Sequence, residues 1–256
     1  MNIKIAIGII IPFIGAVIGS LLIYLFKKDF SKKQSTIFFG ISAGLMIGAS
    51  IYSLILPSIE LSYIEKILPI IPIFIGGSLG IIFIFLSDLF INKITKKNKI
   101  DKKIKENLLF FFSITLHNIP EGIAIGVALS TLLLENINIS LAAIVALTIG
   151  ITLQNIPEST VISLIFNSNG NSKMKSFLYG VLSSSVEPIA AIFTILFIRN
   201  ANNVLIYLLN FAAGAMMYVT VFELIPKIKN DKNIFEGIAW IFIGFFIMML
   251  GNIIIK

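Results

Sequence analysis

The sequence predicts an all-α fold, a polytopic membrane bundle of eight helices. Three observations carry this. Of the 256 residues, 57% are hydrophobic and only 13% charged, where a soluble domain holds roughly 25% charged residues. The apolar residues form continuous runs of about 20, the length that crosses a bilayer as a helix, without the period-two alternation of a membrane barrel. Between those runs, lysines collect in every second loop.

The runs are 4–26, 36–57, 69–91, 107–132, 139–165, 175–198, 202–226 and 233–254, numbered here as spans 1 to 8 of one transmembrane domain over residues 1–256. Span 1 is too long for a signal-peptide core, and Lys27-Lys28 follows it in place of a small-residue cleavage site. Span 2 is expected to end at Pro57, and span 3 to lead into a lysine-rich loop, 92–106. Spans 4, 5 and 6 each hold a glutamate beside a proline. Span 7 repeats part of span 2: Ala43-Gly44-Leu45-Met46 with Leu56-Pro57, against Ala213-Gly214-Ala215-Met216 with Ile225-Pro226. The two would run in opposite directions, as in the inverted repeats of many transporters.

The formal charge of +7 has a topological origin and does not point to nucleic acid. Loop 1 carries Lys27, Lys28, Lys32 and Lys33, and loop 3 carries Lys93, Lys96, Lys97, Lys99, Lys102, Lys103 and Lys105. Loop 5 has Lys173 and Lys175, and loop 7 has Lys227, Lys229 and Lys232. Only Lys4, Lys66, Arg199 and Lys256 fall on the other side. Basic loops stay cytoplasmic, so both termini are expected outside, in a cell membrane whose lipid headgroups the loop-3 lysines can reach. The chain has no cysteine, which excludes disulfides and thiolate metal sites.

The organising stretch is Leu116-His117-Asn118-Ile119-Pro120-Glu121-Gly122 in span 4, echoed 37 residues later as Leu153-Gln154-Asn155-Ile156-Pro157-Glu158-Ser159 in span 5. Residues three and four apart share a helix face. His117, Asn118 and Glu121 therefore form one stripe, and Gln154, Asn155 and Glu158 form its copy. Span 6 adds Glu187 before Pro188. Each proline withholds an N–H and loosens its helix, which membrane depth tolerates only where protein or a wet cavity covers the backbone.

An ionised acid at mid-membrane costs near 2.5–3.5 kcal/mol, so three unpaired carboxylates would cost roughly 7–10 kcal/mol. No basic residue within spans 4 to 6 offsets them, apart from Lys175 and Arg199 at the two ends of span 6. They are protonated at rest, or a cation compensates them. The one histidine of the chain shares the cluster. Imidazole with carboxylates and amides suits a borderline divalent metal such as Zn²⁺ better than Mg²⁺ or Ca²⁺. Bridging glutamates could hold two such ions.

These residues resemble the ZIP (Zrt/Irt-like) family of divalent-metal transporters, in its bacterial GufA-like branch. The likeness rests on His117-Asn118-Ile119-Pro120-Glu121-Gly122, Gln154-Asn155-Ile156-Pro157-Glu158, Glu187-Pro188, and Ser42 to Ser50 with Leu56-Pro57. The resemblance implies eight spans arranged 3+2+3 with inverted symmetry, and a binuclear site in the transport path. It implies His117, Glu121, Gln154, Glu158 and Met46 around one ion. Asn118, Asn155 and Glu187, with the shared Glu121 and Glu158, would surround the other. Ser53, Glu60 and Glu223 would line the pathway. It further implies uptake of Zn²⁺, and of Cd²⁺, Fe²⁺ or Mn²⁺, towards the cytosol by a homodimer, with the metal as cargo and no resident cofactor. Gln154 stands where many members have histidine, Asn155 where some have aspartate, and Ser159 where glycine is usual. Loop 3 lacks the histidines of many members. Zinc uptake is the reading the resemblance favours, ahead of an iron- or manganese-preferring importer. A membrane metallohydrolase is the weaker alternative, because no H-E-x-x-H order is present.

Overall fold

The computed structural model describes residues 3–26, 31–97, 102–133, 141–197, 202–228 and 234–255. Within these, eight helical segments are long and apolar enough to cross a membrane: Ile3–Tyr24, Lys32–Ile64, Ile70–Lys93, Ile114–Leu133, Leu141–Ser168, Lys173–Phe197, Val204–Ile228 and Ile234–Ile254. They are spans 1 to 8 in order, and no strand occurs among the described residues. Of the charged residues behind the orientation argument, Lys27, Lys28, Lys99, Arg199, Lys229, Lys232 and Lys256 lie outside the described residues.

Several boundaries differ from expectation, each for a local reason. Span 2 begins early because Ser31 caps it. The Ser31 hydroxyl accepts from the Gln34 N–H (3.2 Å), and Gln34 Oε1 accepts from the Ser31 N–H (3.0 Å), a reciprocal capping box. Ser172 caps span 6 with a single bond, accepting from the N–H of Lys175 (3.4 Å). The expected loop 92–106 is mostly helix. The span 3 helix runs to Lys97 and the span 4 helix starts at Lys102, since lysine-rich segments are good helix formers outside the bilayer.

Span 2 does not stop at Pro57. It passes through a π-helical turn, Ala49–Ile55, and continues as Leu56–Ile64. The wide turn, in which Leu56 N–H bonds Ile51 C=O, comes just before the ring that would clash with a regular turn. Span 7 does the same: the π turn Thr220–Leu224 precedes Pro226, and Ile225 N–H bonds Thr220 C=O. The sequence echo between spans 2 and 7 is thus an echo of backbone irregularity. By contrast, spans 4 and 5 remain α-helical through Pro120 and Pro157. Span 6 is two helices, Lys173–Ser184 and Val186–Phe197, joined at Ser185. Pro188 cannot donate to the Ser184 carbonyl, and the break leaves Glu187 in the first turn of the second half.

Packing follows a paired pattern. Span 3 lies along span 7 and span 8 along span 2; span 1 lies along span 5 and span 6 along span 4. Spans 2 and 5 touch as spans 7 and 4 do, and spans 3 and 4 touch as spans 8 and 5 do. Exchanging 1 with 6, 2 with 7, 3 with 8 and 4 with 5 reproduces the same contacts. The outer spans show their apolar side chains outward, Phe74 and Phe90 on span 3 and Phe242 and Ile253 on span 8 among them. Polar side chains gather inside, most of them on spans 2, 4, 5 and 6.

Glycine permits the tightest of these contacts. A Cβ on Gly214 would stand 2.7 Å from the Cα of Gly77, and one on Gly44 2.9 Å from the Cα of Gly244. Both obstacles are backbone and cannot rotate away. Gly214→Val is therefore expected to lower thermal stability in detergent by about 1–3 kcal/mol. Gly251→Val, where no atom lies within 4 Å of a new Cβ, is expected to leave the unfolding temperature unchanged.

Candidate metal centre

Spans 4, 5 and 6 bring their polar stripes together in the interior. His117, Asn118, Glu121, Gln154, Asn155, Glu158 and Glu187 are each at most 3% exposed. The i, i+3 and i, i+4 spacings put each set of three on one face, and the contact of span 4 with span 5 turns those faces towards each other. His117 Nε2 lies 2.7 Å from Glu158 Oε1. The amide N–H of Gln154 donates to Glu121 Oε1. The motif copies are thus cross-linked, the fourth-before residue of each helix holding the carboxylate of the other. Asn155 Nδ2 donates to Glu187 Oε2 (2.7 Å) and to the carbonyl of Pro12 (3.2 Å), which ties spans 1 and 6 into the cluster. Asn118 Nδ2 donates to the carbonyl of Ser183 (2.9 Å).

What these bonds leave over decides the chemistry. His117 Nδ1, Asn118 Oδ1, Glu121 Oε2, Gln154 Oε1, Glu158 Oε2 and Glu187 Oε1 are buried and have no hydrogen-bond partner among the described residues. With Nε2 donating to Glu158 and the carboxyls ionised, all six carry lone pairs and none offers a proton. Buried polar atoms are normally paired, so six unpaired acceptors in one cluster ask for something positive. The donors contributed by His117, Glu121 and Glu158 lie within 4.8 Å of one another. Two ligands on one tetrahedral Zn²⁺ stand roughly 3.4 Å apart, given metal–ligand bonds near 2.1 Å. Side-chain adjustment of about 1 Å would close the difference.

The remaining expected residues are placed differently. Met46 is fully buried in the core, and its sulfur accepts a hydrogen bond from the Thr220 hydroxyl (3.6 Å), at the π turn of span 7. Ser53 lies in the π turn of span 2, buried and without a hydrogen-bond partner for its hydroxyl. Glu60 is exposed, on the helix that continues past Pro57. Glu223 is half-buried with Oε1 unpartnered, near enough to act electrostatically on His117.

Sequence reasoning gave Asp88 no role. The structure brings it against Tyr218, which hydrogen-bonds it, and into the field of Glu223 and Lys227. The shared carbonyl of Pro12 was equally unforeseen. The signal available for it was only a proline in the middle of span 1, which distinguishes nothing by itself.

Residues 102–252, which hold all of spans 4 to 7 and nearly all of span 8, match the family described as "ZIP Zinc transporter". The chain belongs to the ZIP family. Relatives of this ZIP chain include proteins named zinc transporter ZIP11 from Homo sapiens and zinc transporter GufA from Myxococcus xanthus. It is 34% identical to the human protein over 142 residues, 55% of this chain and 41% of the relative. It is 32% identical to GufA over 139 residues, 53% of this chain and 52% of the relative. A third, zinc transporter ZupT from Clostridium perfringens, is 29% identical over 164 residues, 62% of this chain and 54% of the relative. The chain therefore spans about half or less of the length of the curated relatives it matches. These relatives are named as transporters, not enzymes. The matched region holds every residue of the cluster described above except Pro12.

Proposed function

We propose that this ZIP-family protein carries divalent transition-metal cations across a cell membrane, Zn²⁺ foremost and Cd²⁺ with it. The observation that carries the reading is the set of six acceptor atoms on spans 4, 5 and 6, buried together without a hydrogen-bond partner among the described residues. One ion would take His117, Glu121, Gln154 and Glu158, with Met46 once its sulfur leaves Thr220. A second would take Asn118, Asn155 and Glu187, with Glu121 and Glu158 shared. Gln154 and Asn155 each have two tasks here. Their N–H groups hold carboxylates in position, while their carbonyl oxygens act as ligands.

The pairing of 1 with 6, 2 with 7 and 3 with 8 supports two three-helix halves flanking a central pair. Ser53 and Glu60 would line one end of the path and Glu223 the other. Direction towards the lysine-rich side, termini on the opposite side and assembly as a homodimer complete the proposal. Fe²⁺ and Mn²⁺ are the competing cargoes, because an amide stands at Gln154 where an imidazole would favour zinc more strongly.

The test is flux in proteoliposomes. Purified protein is expected to give saturable Zn²⁺ accumulation, competed by Cd²⁺ more strongly than by Mn²⁺. Tight Zn²⁺ binding with no flux of any of these ions would leave a receptor and end the transport reading.

A further inference from the structure

Spans 2 and 7 repeat each other down to their hydroxyls. Ser50 follows Met46 by four residues, and Thr220 follows Met216 by four. Both hydroxyl residues lie in the π turns, Ala49–Ile55 and Thr220–Leu224, and all four side chains are fully buried. The helix of span 7 lies against the π turn of span 2, and the helix of span 2 against the π turn of span 7.

The two sides nevertheless make different contacts. The Thr220 hydroxyl stands 3.6 Å from the Met46 sulfur, across the joint between the spans. The Ser50 hydroxyl has no hydrogen-bond partner among the described residues, so the Met216 sulfur is not held in the matching way. The contact therefore comes from the particular side chains and not from the symmetry of the repeat.

A hydroxyl has one proton to donate. That of Thr220 has two acceptors in reach, because the carbonyl of Met216, four residues before it, is 2.8 Å away. Donated to the sulfur, the proton draws on the electrons that a metal would need. Donated to the carbonyl, the usual partner of a helical threonine, it leaves the sulfur free and no buried donor unpaired. The main chain of the same residue is fixed meanwhile, since Thr220 C=O accepts the Ile225 N–H that closes the π turn.

We infer that Thr220 is a positioning residue that limits how far the metal centre can use the Met46 sulfur, and so restrains the share of softer ions it takes. The inference rests on the reading of Met46 as a ligand; Thr220 itself touches no ion. The other donors of the proposed centre are oxygens and one imidazole nitrogen, so the thioether is its soft member. A restraint on that sulfur weighs on Cd²⁺ more than on Zn²⁺.

Competition between Cd²⁺ and Zn²⁺ for detergent-purified protein tests this. Thr220→Val keeps the shape of the side chain and loses the proton, and is expected to raise the ratio of Cd²⁺ to Zn²⁺ affinity about threefold, the size of one weak hydrogen bond. Thr220→Ala, which removes the hydroxyl without relying on the fit of valine, should move the ratio the same way. Thr220→Ser keeps the hydroxyl and should restore the parent value, which a loss of packing alone would not do. Met46→Leu should lower the ratio, and adding Thr220→Val to it should change nothing further. X-ray absorption of bound Cd²⁺ supplies a second readout. The chain has no cysteine, so sulfur beside the ion must come from methionine. That signal should grow in Thr220→Val and vanish in Met46→Leu. If Met46→Leu lowers the ratio and removes the sulfur signal while both hydroxyl-free variants match the parent, the role of Thr220 is overturned and the ligand reading of Met46 stands. If Met46→Leu changes neither readout, both fall together.

Discussion

Glu121→Ala is expected to abolish saturable metal uptake in proteoliposomes. Glu121 is the one carboxylate that span 4 gives to the centre, and its Oε2 is free while Gln154 holds Oε1. In the proposed site it is shared by both ions, so no partial site survives its loss. Removing a group that only supports a ligand already costs 10–100-fold in metal affinity, and removing the ligand itself should cost about 100-fold or more. Thermal unfolding in detergent provides a check on folding. Zn²⁺ at 100 times its dissociation constant should stabilise the parent protein by about 2.7 kcal/mol and the variant hardly at all. Without metal the order should reverse. Glu121 lies in the field of Glu158 and Glu187, and deleting one of three crowded acids relieves the other two. A variant that unfolds early without metal has simply lost its fold, whereas one that unfolds late and ignores zinc has lost a ligand. Normal uptake by the variant would refute the assignment of Glu121.

His117→Ala is expected to change which metal is preferred more than how much is moved. His117 is the only histidine of the chain, so the variant's centre keeps carboxylate and amide oxygens, with the Met46 sulfur as the one softer donor of the proposed site. All-oxygen sites suit Mn²⁺ and harder ions, while imidazole favours zinc. The ratio of Zn²⁺ to Mn²⁺ flux should fall by about tenfold or more. Acidity gives a second measurement. Ligands must release protons to bind metal, so uptake by the parent should weaken as pH falls. Because His117 and Glu158 share one hydrogen bond, the variant loses a titrating member of that pair, and its uptake should depend less steeply on pH. An unchanged metal preference with an unchanged pH profile would remove His117 from the site.

The centre was legible because it violates the solvent. Three acids and a histidine in apolar runs have few physical excuses, and the doubled spacing showed which side chains would share a face. The eight spans were legible for the related reason that apolar length is a coarse quantity. Finer features left weaker traces. Pro57 looked like an end, yet a π turn ahead of it lets the helix continue, and such a turn has no composition of its own. Pro120, Pro157 and Pro188 were each expected to loosen a helix, but only beside Pro188, at Ser185, does one break. A proline states what it cannot donate; neighbouring helices decide what the backbone does about it. Met46 was assigned to the centre by resemblance, and nothing in the sequence joined its sulfur to Thr220, 174 residues away.

The two halves of the doubled motif are not interchangeable, and the difference begins one residue past each glutamate. Gly122 and Gly126 let span 4 lie with its main chain against Glu187 and Ala191 of span 6. At the matching places, the same 37 residues on, span 5 has Ser159 and Ser163. Its own close neighbour is span 1, and there the smallness is supplied from the other side, by Gly15 and Gly19 against Thr152 and Ile156. Moving the glycines across the joint freed one flank of span 5 to bear oxygen. A near-symmetric architecture has in this way put glycine on the flank of one central helix and hydroxyls on the matching flank of the other.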